Sequence, residues 1–341
     1  MRARIDNMIS QPSVAYVIDP RFPGGTSSAV ASELAATSRM ARVHVHAITS
    51  KMFKNRGVAP QLEQALDELG LSLIWDAELI SADIVIWHNP SFLKFQKSLN
   101  SRIVARHLIV VTHENFLRPG QVEGFDVHQC LEQIDRASLA LRKSIAPISP
   151  HNRATVRDWM QADNRLARWS VLPQDWFNIC EFEMLRPAPD PSDRRGRHSR
   201  PGFEKFPGLP DMDACFPRHA RANVILGADT FLGERLHRPH WQMLPFRSIE
   251  VDQFFQMIDF VVYFTSPTWR ESFGRVLAEA VAAGKLVISD PETASVFGGA
   301  VIGAAPRDVD QIIKRHIQQP GEFRSHVTGA QKKLRAFSAT S

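Results

Sequence analysis

The chain has 341 residues, 44% of them hydrophobic and 23% charged, with a formal net charge of +5. That length suits two domains of ~150 residues, and the composition is that of an ordinary soluble globular protein. The basic balance admits nucleic acid, an anionic membrane surface or phosphorylated small molecules as partners, but no RNP-like, zinc-finger or basic-zipper pattern supports nucleic acid.

No run approaches the ~18 uninterrupted apolar residues of a membrane span. The N-terminal MRARIDNMISQPS lacks the apolar core of a signal peptide, so the expected location is the cytoplasm. Cys130, Cys180 and Cys215 are far apart, which fits reduced structural thiols and no zinc site.

From Val14, VAYVIDP reads as a buried strand, followed by a turn from Arg21 to Ser28 that contains Gly24 and Gly25. Ala29 to Met40 has a helical pattern, with Ser27 or Ser28 as its N-cap. Adjacent glycines let the backbone turn sharply and approach a ligand. No third glycine completes the dinucleotide fingerprint.

A βαβ rhythm continues through Val43–Thr49, a helix over Leu62–Leu69, and strands at Ile84–Trp87, Leu108–Thr112 and Ile145–Ser149. Their ends carry polar residues: His88-Asn89, His113-Glu114-Asn115 and His151-Asn152. This describes a doubly wound parallel sheet with a functional carboxyl edge. His113 follows LIVVT directly, so its imidazole is expected to project from that edge. His113-Glu114 lacks the second His of a zincin motif, and His44 with His46 lacks a third ligand.

Arg168–Asn178 closes the first half, and RPAPDPSDRRGRHSR from Arg186 to Arg200 has the composition of a linker. Beyond it, strands are expected at Val224–Ala228, Trp241–Phe246 and Ala300–Ala304, and helices at Val251–Met257 and Val309–Ile317.

The most informative stretch is Asp259–Asp290, DFVVYFTSPTWRESFGRVLAEAVAAGKLVISD. Phe260–Phe264 reads as a buried strand and Leu286–Ser289 as another. Between them, Glu271-Ser272-Phe273-Gly274 opens a helix with apolar Val276, Leu277, Ala280 and Val281, closed by Gly284. Glu279 lies eight residues after Glu271, about 12 Å along a helix. Two carboxylates so spaced can hold two ends of one elongated ligand while the amides around Phe273 and Gly274 hold a phosphate between them.

This Glu271-Ser272-Phe273-Gly274 to Glu279-Ala280 pattern resembles the E-x7-E signature of retaining, nucleotide-sugar-dependent glycosyltransferases of the GT-B fold, family 4 type, closest to bacterial enzymes of surface polysaccharide synthesis. The resemblance implies an α/β protein of two Rossmann-like, doubly wound parallel-sheet domains facing a central cleft. They are expected over residues 1–172 and 173–320, with a tail over 321–341 that crosses back to the first. It implies that Glu271 contacts the donor sugar, that Glu279 bonds the ribose, and that His113, with His88 second, contacts the sugar from the first domain. Glu271 and His113 are then the catalytic candidates.

The resemblance further implies that Gly24 and Gly25 face the cleft. A strand ending in Gly196-Arg197, with Arg200 and Lys205 beyond, would hold the donor diphosphate together with Ser272, Phe273 and Gly274. The apolar strand expected before Gly196 is poor, because Asp193, Arg194 and Arg195 occupy its place.

The implied reaction moves a hexose-type sugar from a UDP- or GDP-linked donor to a glycan or lipid-linked acceptor, with no metal and no cofactor beyond the donor. The excess positive charge is assigned to peripheral contact with anionic lipid at the inner membrane face. Alternatives are an inverting GT-B transferase, a sugar-nucleotide epimerase, or a non-catalytic nucleotide or nucleic-acid binding protein.

Overall fold

The first unit is a seven-stranded, wholly parallel sheet in the order β3-β2-β1-β4-β5-β8-β9. A computed structural model describes residues 11–22, 24–163, 166 and 168–339. They form two units that meet in sequence at Ile179 and Cys180. In the first, β1 (Ser13–Ile18) leads into helix α1 (Gly25–Thr37), then β2 (Arg42–Ala47), α2 (Pro60–Leu69), β3 (Leu73–Trp75), β4 (Leu79–His88) and β5 (Arg102–Thr112). A small antiparallel ribbon, β6 (Leu117–Arg118) and β7 (Val122–Glu123), precedes α3 (Val127–Ala137), β8 (Ser138–Pro147), α4 (Pro150–Ala162) and β9 (Ser170–Val171).

β1 has five successive buried residues, as a strand covered on both faces must. The strands on one side of it, β4, β5 and β8, continue the core through Val85, Trp87, Leu108, Val110 and Ile145, with Leu131, Ile134, Val156 and Trp159 from the helices. The helix expected over Ala29–Met40 begins earlier, at Gly25, and Gly24 is its N-cap. Ser27 does not cap it, because its hydroxyl donates to the Phe22 carbonyl at 2.7 Å.

The second unit repeats the plan with six parallel strands in the order β12-β11-β10-β13-β14-β15. Its elements are β10 (Arg194–His198), α5 (Leu209–Cys215), β11 (Ala222–Leu226), α6 (Asp229–Gly233), β12 (Gln242–Leu244), α7 (Val251–Gln256), β13 (Phe260–Tyr263), α8 (Arg275–Ala282), β14 (Leu286–Ser289), α9 (Pro291–Ser295), β15 (Ile302–Gly303), α10 (Val309–Gln318) and α11 (Pro320–Leu334). Phe260, Val262, Leu286, Ile288, Ile313, Phe323 and Val327 centre the core. Gln331 of α11 donates to the carbonyls of Leu185, Val281 and Ala282, so the tail's helix packs within the second unit.

One expectation is corrected here. The polar run before Gly196 is not a poor strand: Arg194-Arg195-Gly196-Arg197-His198 forms β10, with β11 and β13 on its two sides. Two of its three arginines are paired with carboxylates, Arg194 with Asp259 at 2.8 Å and Arg195 with Asp193 at 2.6 Å and Asp310 at 2.7 Å, and the third, Arg197, donates to backbone carbonyls. A buried guanidinium with carboxylate partners on several donors loses little of what water gave it.

Candidate active site

In the second sheet the chain leaves β10 toward β11 on one side and returns to β13 on the other, so a topological switch point lies between β10 and β13. Ligands of open α/β sheets bind beyond the carboxyl ends of the strands at such points. Two loops issue there, one after His198 and one after Tyr263.

The loops are joined through Glu271. Lys205 Nζ donates to Glu271 Oε1 at 2.6 Å, and the Tyr263 hydroxyl donates to the same oxygen at 2.7 Å. The Lys205 ammonium also lies 5.3 Å from the centre of the Trp269 ring. Burial by itself raises the Glu271 carboxyl, but the Lys205 ammonium and the Tyr263 hydroxyl outweigh it and hold the carboxylate below its ordinary range. Burial and the neighbouring Glu271 push the Tyr263 hydroxyl well up, so it remains a donor. Both bonds fall on Oε1, and Oε2 takes neither.

Arg197 sits beneath this network at 1% exposure. Its guanidinium lies 4.3 Å from the Phe206 ring centre and 4.7 Å from that of Tyr263, and it donates to the carbonyls of Phe264 and Lys205. Arg197 therefore ties the two loops from below, with its charge spent inside the protein. Arg200 is placed differently: it is half exposed and paired with Glu204 at 2.9 Å. The structure thus separates two arginines that the sequence treats alike.

Helix α8 begins at Arg275, after the loop that carries Glu271, Ser272 and Phe273. Its N-cap, Gly274, has φ +88°, a left-handed conformation that a side chain strains. Glu279 lies one turn further, 3.4 Å from Arg275 and 3.9 Å from His198 Nε2. Burial raises the Glu279 carboxyl in spite of Arg275. His198, the last residue of β10, packs its ring on Phe254 and Phe255. Burial, with the Arg197 charge beside it, lowers its imidazole to about 4, so it is neutral around pH 7.

Two features hold these loops from outside. Gly227, after β11, has φ +88°, and a Cβ there would lie 1.9 Å from the Ser199 carbonyl oxygen, so the exits of β10 and β11 touch backbone to backbone. Phe273 packs edge-on against Phe297 and Phe337, with ring centres 5.5 Å away in each case, and Phe297 and Phe337 are 5.7 Å apart.

The first unit has its own switch point, between β1 and β4. The β1 exit is fixed by buried Asp19, which accepts from Arg21 Nε at 2.9 Å and from the Ser50 amide at 3.0 Å. Gly24 and Gly25 lie at the end of that exit, at the start of α1. At the ends of β4 and β5, His88 Nδ1 and His113 Nε2 are 2.9 Å apart. Behind them, Glu33 Oε2 of α1 is 3.3 Å from His88 Nε2. Burial and His88 hold the His113 imidazole well below its ordinary range.

Tyr263, His198 and Glu33 are the site residues that sequence reasoning missed. Tyr263 and His198 are each the last residue of a strand at the switch point, the same signal that singled out His113; Glu33 carries no such signal, because it lies mid-helix.

Among the described residues one group has metal-ligand geometry, Asp193, His219 and Asp310, with ligand atoms within 4.8 Å of one another. Arg195 donates to both carboxylates and already supplies the positive charge there.

No family model matches the sequence, and no curated protein does either. Solved structures match over nearly the whole chain. A sucrose-phosphate synthase from Thermosynechococcus elongatus is 13% identical with TM-score 0.59, covering 96% of this chain and 95% of that one. The E. coli trehalose-6-phosphate protein bound with UDP-2-fluoro glucose is 12% identical with TM-score 0.56, covering 96% of each chain. TarM is 12% identical with TM-score 0.51, and the match covers 75% of this chain but only 52% of TarM. At such identities the likeness speaks for the fold, and with two doubly wound parallel sheets it establishes that this chain has the GT-B fold of two Rossmann-like domains.

Proposed function

We propose that the protein is a retaining glycosyltransferase of the family 4 type that takes a hexose-type sugar from a UDP- or GDP-linked donor without a metal ion. The observation that carries this reading is Glu271, held ionised by Lys205 and Tyr263 at the switch point with Oε2 outside both bonds. That oxygen can accept from sugar hydroxyls, and its charge favours an oxocarbenium-like centre as the bond to the leaving phosphate lengthens.

The leaving group is a nucleoside diphosphate, whose developing charge needs donors. Lys205, Arg200 and the amides of Ser272, Phe273 and Gly274 before α8 are assigned to it, with Arg197 bracing the Lys205 loop from below. Glu279 is assigned to the ribose, where a carboxyl accepts from two hydroxyls, and His113 to a sugar hydroxyl. A hydrolysis screen of UDP-, GDP- and dTDP-sugars with EDTA present tests the reading. Release of nucleoside diphosphate by the wild type and its loss in Glu271→Ala is expected; an inactive wild type across the set overturns it.

The acceptor is proposed to be a glycan or lipid-linked sugar of bacterial surface polysaccharide, met at an anionic bilayer by the cytoplasmic protein. Among the described residues no helix is long and apolar enough to cross a membrane. One face of the first sheet supports a peripheral contact. Leu79 of β4, Val104 of β5 and Leu139 and Leu141 of β8 are 41–83% exposed there; Val104 is in register with Leu139 and Leu79 with Arg102, and Arg102 and Arg106 flank Val104 along β5. Leucines ringed by arginines suit an interface of apolar tails and anionic headgroups. Flotation with vesicles containing phosphatidylglycerol, but not with phosphatidylcholine alone, is expected and should fail for the double variant Leu139→Ser, Leu141→Ser. Equal flotation of variant and wild type overturns this contact.

A further inference from the structure

Glu33, His88 and His113 form a line running from the interior outward. Glu33 is 5% exposed and His88 0%, whereas His113 is half-buried. Neither Glu33 oxygen, nor His88 Nε2, has a hydrogen bond of good geometry, and the 3.3 Å approach of Glu33 Oε2 to His88 Nε2 is the polar contact both have. An unpaired buried carboxyl is costly, which favours a hydrogen bond across this approach. The other side of the His88 ring meets His113 Nε2 at 2.9 Å. Tyr16 stacks on His88 with ring centres 5.7 Å apart and is bonded through its hydroxyl to Thr37, which clamps the imidazole plane.

The protons of such a line can run in only one of two directions. A carboxyl ordinarily gives up its proton well before an imidazole does. A Glu33 carboxylate then accepts from His88 Nε2–H, which leaves His88 Nδ1 as an acceptor, which in turn takes the proton of His113 Nε2–H. The remaining nitrogen, His113 Nδ1, has no hydrogen bond among the described residues and carries the lone pair. The groups that face this line are Tyr16 of β1, whose hydroxyl burial and Glu33 push up so that it stays neutral, and the three members themselves. Glu114 beside it is engaged with the Ser91 hydroxyl at 2.7 Å.

We propose that Glu33 and His88 are positioning residues that fix the tautomer of His113, so that His113 presents Nδ1 as a hydrogen-bond acceptor to a ligand hydroxyl. His113 would thus select a hydroxyl at its position and reject a bare carbonyl or ether oxygen, which would meet its lone pair. That the hydroxyl is a sugar's rests on the glycosyl-transfer reading; the tautomer does not.

The test is the 15N spectrum of the protein labelled in histidine only, with the His113 signals assigned by their loss in His113→Gln. At pH 7, wild-type His113 should show an unprotonated Nδ1 and a protonated Nε2. Glu33→Met removes the acceptor that keeps the proton on His88 Nε2, so the His113 signals should move to those of a mixture of tautomers. A protonated Nδ1 in the wild type, or a tautomer unchanged by Glu33→Met, overturns the proposal. If that variant does not fold, the wild-type spectrum still decides. Where a nucleotide sugar is turned over, Glu33→Met should lower kcat/KM about tenfold, the worth of one good hydrogen bond. A wild type that turns over no donor defeats the glycosyl-transfer reading and leaves the tautomer result standing.

Discussion

The Lys205 ammonium and the Glu271 carboxylate meet at 2.6 Å, each almost out of reach of solvent. They come from loops after different strands, so this pair sets the distance between the two loops of the switch point.

Removing one member should therefore cost both stability and turnover. Lys205→Met leaves Glu271 buried without its cation, and breaking such a pair costs about 3–5 kcal/mol. Urea unfolding of the wild type and variant should show that loss. Donor turnover should fall at the same time, because an unpaired Glu271 is protonated at higher pH.

The two acids should separate kinetically. Glu271→Ala is expected to lower kcat by ~100-fold or more, as for loss of a group that acts on the transition state. Glu279→Ala should chiefly raise the donor KM, by about tenfold for a lost ribose contact. Steady-state kinetics on one donor decide it, and wild-type kinetics in both variants would remove the assignment.

His198 should shape the acid limb of stability. Its folded value of about 4 lies below the ~6.5 of an unfolded imidazole. Between these pH values the unfolded chain holds more protons than the folded one, so stability falls as pH drops from 6.5 to 4. The loss is fully incurred below the folded value, and at 1.36 kcal/mol per pH unit it approaches roughly 3 kcal/mol. Glu271 acts in the same sense at lower pH: its depressed carboxyl contributes above the ordinary carboxylate value and the contribution is lost as pH falls through its folded value. Chemical denaturation of wild type and His198→Gln from pH 7 to 4 should show the slope flattened in the variant.

Gly227→Ala should destabilise by ~2 kcal/mol or more, since both the positive φ and the 1.9 Å approach to the Ser199 carbonyl oppose a Cβ. Calorimetry should find a lowered Tm. A neutral result would mean that the exits of β10 and β11 can part without cost.

Much of the second unit is legible in the sequence because its strands are unbroken apolar runs: FVVY and LVIS announce β13 and β14 directly. β10 is not, since Arg194, Arg195 and Arg197 look like a solvated loop until their partners are known. Asp259, Asp310 and the Phe264 carbonyl lie 65 to 115 residues away in sequence. Helix α3 could have been read from Val127, Cys130, Leu131 and Ile134 with Asp126 as N-cap, and α11 from Phe323, Val327, Ala330 and Leu334, since both show the helical spacing. Glu33 is different in kind. Nothing marks a lone acid in an Ala-rich helix until the fold sets it beside His88.

The triangle of Phe273, Phe297 and Phe337 has a consequence in time. Phe337 lies 64 residues beyond Phe273, and its carbonyl also receives the Cys180 amide at 2.8 Å. During synthesis the Glu271 loop cannot reach its final packing until residue 337 has left the ribosome. A growing chain can thus complete both sheets while the Glu271 loop still waits for Phe337 to arrive.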